Sequence, residues 1–139
     1  MGKIIHIDGP DKTGKDSIRR DVVKKSKGTS LVYVRSFLSQ IVYSRLYKRN
    51  IEEKWFFDEW KKAFTRGEKF YFIDCNFENI KNRFLQHNET DLDIKDWVEH
   101  RKVFYDVLQE ADRQGIQVQK IDTTTDTIKQ SSQKLYETL

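Results

Sequence analysis

The chain has one cysteine, one proline, one methionine and six glycines among its 139 residues. A lone cysteine rules out an internal disulfide framework, and Cys75 beside an apolar run fits a reduced, intracellular setting. With three histidines and no second cysteine, no Cys/His metal cluster is legible. No apolar stretch approaches the ~18 residues of a membrane span, and the N-terminus lacks a secretory pattern. The expectation is a soluble, cytoplasmic protein without a membrane partner. No composition break, repeat or low-complexity linker divides the chain, so residues 1–139 read as one domain, small for an α/β fold. Charge is abundant instead: 35% of residues are charged, 13% are aromatic, and the net charge is +4. That balance suits an anionic partner, nucleotide or nucleic acid.

The most informative stretch is Lys3-Ile4-Ile5-His6-Ile7-Asp8-Gly9-Pro10-Asp11-Lys12-Thr13-Gly14-Lys15-Asp16-Ser17. Ile4, Ile5 and Ile7 read as a buried parallel strand that stops at Gly9. Gly9 and Gly14 bracket four residues, Lys15 follows, and Ser17 to Lys27 reads as a helix. Strand, G-x-x-x-x-G-K and helix, in that order, is the context of a phosphate-binding loop. Glycines let successive N–H groups turn toward one anion, and the helix N-terminus adds its positive dipole end. Lys15 supplies an exposed, compact charge for the outer phosphates, and its loss should cost little stability. The hydroxyl residue that normally follows the lysine is replaced by Asp16, with Ser17 next. Either Asp16 and Ser17 hold magnesium, as a carboxylate suits a hard cation, or Asp16 merely favours the helix start.

Further along, Ile18, Val22 and Val23 make an apolar stripe opposite Arg19, Arg20, Lys24, Lys25 and Lys27, with Gly28 as the helix stop. Leu31–Val34 reads as a second strand, Phe37–Arg49 and Ile51–Arg66 as helices, and Phe70–Ile73 as a third strand. Phe77–Gln86 is a short helix, a polar stretch leads to a long one over Ile94–Gln114, Ile116–Ile121 is a fourth strand, and Thr127–Thr138 is the final helix. Alternation of this kind implies a mostly parallel sheet of about four strands covered on both faces. Connection rules put the first strand centrally, the Leu31 strand on one side and the Phe70 and Ile116 strands on the other. Trp55, Trp60 and Phe64 are expected in the core rather than in a base-stacking platform.

The loop variant Gly14-Lys15-Asp16-Ser17 resembles that of some phage deoxynucleoside monophosphate kinases and animal phosphomevalonate kinases. Arg35-Ser36-Phe37-Leu38-Ser39-Gln40-Ile41-Val42-Tyr43 looks like the segment after the central strand in thymidylate kinases and phage deoxynucleotide kinases. Gly9-Pro10-Asp11-Lys12 is similar to the same family's loop, and Asp74, Phe77 to Arg83, and Asp122-Thr123-Thr124 match its C-terminal half. The resemblance implies a three-layer P-loop NTPase sandwich, ATP and Mg2+ as cofactors, and a kinase acting on a deoxypyrimidine nucleotide. It also carries two departures: Val34 stands where an acid precedes the arginine, and the family's second strand, which helps grip the acceptor, is missing.

Under this resemblance Gly9, Pro10, Thr13, Gly14 and Lys15 cradle the nucleotide phosphates. Asp11 either faces the acceptor hydroxyl and the magnesium shell or favours the turn. Lys12 lies across the transferring phosphoryl group or in solvent. Arg35, at a strand's C-terminal end, suits an acceptor phosphate bidentately. Arg83 belongs to a closing lid or to a helix surface. Asp74 is a carboxylate for magnesium-bound water or a strand-end cap. Thr123 and Thr124 flank the adenine or cap the last helix. Two other readings stay open: a kinase acting on a hydroxymethylpyrimidine base within phage DNA, with the basic helix face tracking phosphates, and a catalytically dead nucleotide- or nucleic-acid-binding module. A homodimer also stays open.

Overall fold

The structure, a computed structural model, describes residues 3–10, 12–86 and 91–139, with Asp91 and Leu92 described by their backbone. The elements follow in the order β1 (Lys3–Asp8), α1 (Lys15–Lys25), β2 (Ser30–Val34), α2 (Phe37–Leu46), α3 (Glu53–Thr65), β3 (Lys69–Asp74), α4 (Phe77–Gln86), α5 (Asp91–Arg113), β4 (Gln119–Asp122) and α6 (Ile128–Glu137). All strand pairs are parallel, in the order β2-β1-β3-β4. The expected sheet and strand order are therefore observed. Parallel strands buried on both faces read as near-continuous apolar runs, which explains Phe70-Tyr71-Phe72-Ile73 in β3, whereas in β1 burial starts only at Ile5 and the expected buried Ile4 is exposed.

Side-chain alternation sends those runs to two helical layers. Ile5, Ile7, Tyr71 and Ile73 pack with Ile18 and Val22 of α1 and Leu135 of α6. On the opposite face Phe70 and Phe72 pack with Leu38 of α2, Trp60 of α3 and Phe104 of α5. A smaller cluster under α4 joins Cys75, Ile80, Phe84, Ile94 and Trp97. Trp60 is fully buried, whereas Trp55 is 53% exposed, which corrects the expectation of a core role for the latter. Among the described helices none is long and apolar enough to cross a membrane.

Helix ends aim several residues used below. Four helices close with the same paired bonds, in which the second residue past the cap donates five residues back and the left-handed residue donates three residues back. In α1 the left-handed residue is Lys27, with Gly28 after it, not Gly28 alone as expected. In α2 it is Lys48, so the helix stops at Leu46 and Arg49 N–H turns back to the Ser44 carbonyl at 2.8 Å. In α3 it is Gly67, and Glu68 emerges next. In α5 it is Gly115, so Ile116 donates to the Ala111 carbonyl at 3.0 Å and closes the helix. The strand expected from Ile116 accordingly begins only at Gln119.

Candidate functional site

The loop between β1 and α1 is built on close packing. A Cβ on Gly9 would lie 2.3 Å from the Ile73 carbonyl oxygen, so only glycine lets β1 leave the sheet against β3. Gly14, at φ +94°, starts α1, and no side chain caps that helix. The first amides of a helix have no intrahelical partner, so those opening α1 are donors at the end of the loop. By contrast, α6 opens with a complete capping box between Thr127 and Gln130. The Pro10 carbonyl gathers the loop, accepting from Thr13 Oγ1 at 2.8 Å and Lys15 Nζ at 3.2 Å. Lys15 is 4% exposed; the expected exposed side chain is instead folded back over the loop. Lys12 adopts φ +65° at the turn. Asp11 lies outside the described residues, as do 87–90, most of the polar stretch that follows Arg83 and the short helix.

A second layer of bonds fixes this loop from the C-terminal edge of the sheet. Arg83, on α4, donates through Nη1 to the Lys12 carbonyl at 2.5 Å and through Nη2 to the Thr123 carbonyl at 3.1 Å. Thr123 Oγ1 lies 2.9 Å from the Thr13 carbonyl and 3.1 Å from that of Asp74. Thr124 Oγ1 accepts from the Asn76 amide at 2.9 Å, and its carbonyl accepts from Asn79. Thr123 and Thr124 thus tie loops together, whereas the cap of α6 is Thr127. Between the loop and α6 opens a cavity of about 400 Å³ lined by Lys12, Gly14, Arg83, Thr123, Asp126 and Ile128.

A second cleft, about 290 Å³, opens on the β2 side and is lined by Arg35, Ser39, Tyr43, Tyr47, Arg49 and His100. Arg35 follows β2 with φ +67°, and its amide donates to the Ile7 carbonyl at 3.1 Å. Tyr43 and Tyr47 stack at 6.1 Å and both meet His100 edge-on, while Arg49 stands over the Tyr47 ring at 5.5 Å. Ser39 ties this cleft to the strand that precedes the loop. Asp8, adjacent to Gly9 and 2% exposed, accepts on Oδ1 from the Ser36 amide (2.7 Å), the Ser39 amide (3.2 Å) and the Ser39 hydroxyl (2.6 Å). Burial pushes its carboxyl above the ordinary 3.8, against the opposing pull of those donors.

The carboxylate of Asp74, at the end of β3, is engaged by residues of α5 and β4. Arg101 of α5 pairs with it bidentately at 2.9 and 2.8 Å, Tyr105 donates its hydroxyl, and Lys120 lies 3.7 Å away. Burial alone would raise this carboxyl, but Arg101 and Tyr105 outweigh it and hold the group below its ordinary value. Asp16 and Ser17 lie in the first turn of α1, Asp16 exposed and Ser17 half-buried. Their carboxylate and hydroxyl oxygens are the donor type that magnesium takes. Among the described residues no group of three or more His, Cys, Asp or Glu gathers as a metal site.

Compared with protein-family models and with curated proteins, the chain finds no match. The geometry therefore stands on its own residues. It brings together Gly9, Pro10, Lys12, Thr13, Gly14, Lys15, Arg83 and Thr123, and it sets Arg35 on the far side of Asp8. The carboxylate of Asp74 pairs with Arg101, while its carbonyl shares Thr123 with the loop. Asp8 escaped sequence reasoning although a visible signal existed: a carboxylate ending an apolar strand directly before a glycine turn, the same logic that singled out Asp74. Arg49, Tyr47 and His100 had no such signal, because they meet only through the early end of α2 and its packing on α5.

Proposed function

We propose that the chain is a kinase of the P-loop NTPase fold, transferring the terminal phosphoryl group of ATP to a deoxypyrimidine nucleotide, as the thymidylate kinases it resembles do. The observation that carries this reading is a cavity at the loop itself and a second cleft tied to the loop's strand through Asp8, Ser36 and Ser39. One cavity adjoins α6 and the other carries arginines and stacked tyrosines, so a donor and an acceptor can meet at one glycine-flanked turn. Both volumes fall near the lower end of the ~300–1,000 Å³ usual for small-molecule sites, which suits mononucleotides.

Phosphoryl transfer needs positioning and charge neutralisation more than covalent chemistry by the protein. The amides opening α1 and the Lys15 ammonium receive the donor's β- and γ-phosphates. Lys12, at the loop's turn, adds positive charge beside them. Arg35 and Arg49 take the acceptor's phosphate, and Tyr43 or Tyr47 offers its base a ring face. An acceptor phosphate oxygen forms the new P–O bond as the bond to ADP breaks, ADP leaving with that electron pair. Magnesium, when bound, neutralises charge on the phosphates, and Asp16 with Ser17 are the residues that would hold it.

Radiolabelled ATP offered with dTMP, and separately with hydroxymethylpyrimidine-containing DNA, tests the reading. Transfer to dTMP is expected. Transfer to DNA alone would move the acceptor into the polymer, and no transfer to either would leave a binding module. Against the DNA reading, one cation of the basic helix face, the exposed Arg19, already donates through Nε to the Val32 carbonyl at 3.1 Å.

A further inference from the structure

His6 is a polar residue in the middle of the central strand, 5% exposed, on the same side of β1 as Asp8. Its ring is stacked between its two register neighbours, Tyr33 at 5.3 Å and Phe70 at 4.5 Å. Hydrophobic packing would be served by an apolar ring there, yet both ring nitrogens have partners. Nε2 meets Glu68 Oε1 at 2.7 Å, and Nδ1 meets Ser36 Oγ at 2.6 Å. Glu68 is itself aimed by the left-handed end of α3, and its other oxygen accepts from Arg66 at 2.8 and 3.1 Å. A carboxylate can only accept, so Nε2 carries the proton toward Glu68, and Nδ1 makes the bond to the Ser36 hydroxyl, accepting from it in the neutral ring.

Ser36 is where this chain of bonds meets the site. It sits between Arg35 and the first residue of α2, and its amide is one of the donors to Asp8. Arg35 holds a left-handed conformation that a residue with a side chain keeps only when its neighbours over-determine it. The strand that leads into the Gly9–Lys15 loop therefore grips the Arg35 turn twice: through Asp8 at the amides of Ser36 and Ser39, and through His6 at the Ser36 hydroxyl.

Resting on the kinase reading above, we infer that His6 is a positioning residue for the acceptor: anchored by Glu68, it holds Ser36 and thereby aims Arg35 at the acceptor's anionic group. It touches neither substrate. Its function is to couple the donor loop's strand to the acceptor cleft, so that one strand sets the distance between the two phosphates.

The two halves of the imidazole can be removed separately. An asparagine amide oxygen falls near the place of Nδ1, and a glutamine amide nitrogen near that of Nε2. H6N therefore keeps the acceptor for Ser36 and gives up Glu68, whereas H6Q keeps the donor to Glu68 and gives up Ser36. With calorimetric titration of dTMP and of ATP, H6Q and S36A are expected to weaken dTMP about tenfold, the equivalent of one hydrogen bond. ATP affinity should stay unchanged and H6N should lie nearer the wild type. In the ligand-free protein, amide hydrogen exchange at Ser36 and Ser39 should quicken in H6Q and S36A. Unchanged exchange at those amides overturns the inference whatever the acceptor proves to be. Equal losses of dTMP and ATP, or H6N as impaired as H6Q, overturn it too and reduce His6 to core packing. A wild type that binds ATP and not dTMP refutes the acceptor reading instead, and the exchange measurement then decides the role of His6.

Discussion

Arg83 donates to the backbone carbonyl of Lys12 at 2.5 Å, which makes a helix 71 residues away a brace for the turn of the Gly9–Lys15 loop. Because the same guanidinium reaches the Thr123 carbonyl, R83Q leaves two carbonyls without a charged donor. A loss of about 1–3 kcal/mol in stability is expected, together with about tenfold weaker ATP binding as the loop slackens. Urea unfolding and ATP titration check this. A fall in kcat with ATP affinity intact would instead mark Arg83 as a residue acting on the transferred group.

Lys15 is buried over the loop, so alanine would remove packing as well as charge. K15M keeps most of the methylene stem and removes the ammonium. Phosphoryl transfer should drop by about a thousandfold or more, with circular dichroism and the unfolding midpoint near those of the wild type. Normal transfer by a folded K15M protein would dismiss the loop as the active site.

Asp16 stands where a hydroxyl residue usually follows the loop lysine. An amide keeps the shape and one acceptor oxygen but loses the charge that a hard cation prefers. D16N should therefore weaken ATP binding in magnesium by about tenfold, and much less in the presence of a chelator. Equal effects in both conditions would leave Asp16 as a helix-start residue and nothing more.

The Asp74 carboxyl is held below its ordinary 3.8 by Arg101 and Tyr105. Between the lowered value and 3.8 the unfolded chain binds the extra proton, so stability rises with pH through that window and is complete above it. Wild type should exceed D74N by on the order of 1–3 kcal/mol at neutral pH, the Arg101 side chain being partly in solvent. The difference should close as pH falls below about 4. Chemical denaturation at a series of pH values reads this, and a constant gap down to pH 2 would contradict it.

Alternation of apolar runs with amphipathic segments made the four strands, their order and all six helices legible, and Phe77–Gln86 emerges with the expected bounds. Two boundaries were hidden for one reason. The stop at Leu46 depends on Lys48 in a left-handed conformation, which no glycine announces, and Ile116 is apolar because it closes α5 rather than because it starts β4. The loop was readable because glycine and lysine spacing is local chemistry. The cleft was not, since Arg35, Arg49 and His100 converge only through tertiary packing, and the placement of Asp74 depended on an arginine 27 residues away.

The hydroxyl of Thr123 lies 2.9 Å from the carbonyl of Thr13, across 110 residues of chain. During synthesis the glycine turn leaves the ribosome early, but the strand that secures it follows only after two-thirds of the remaining sequence and more has been made. Until β4 docks beside β3, the turn lacks both Thr123 and the carbonyl that helps orient Arg83. The Gly9–Lys15 turn is thus among the last parts to be secured, and a nicked chain without β4 would hold it loosely.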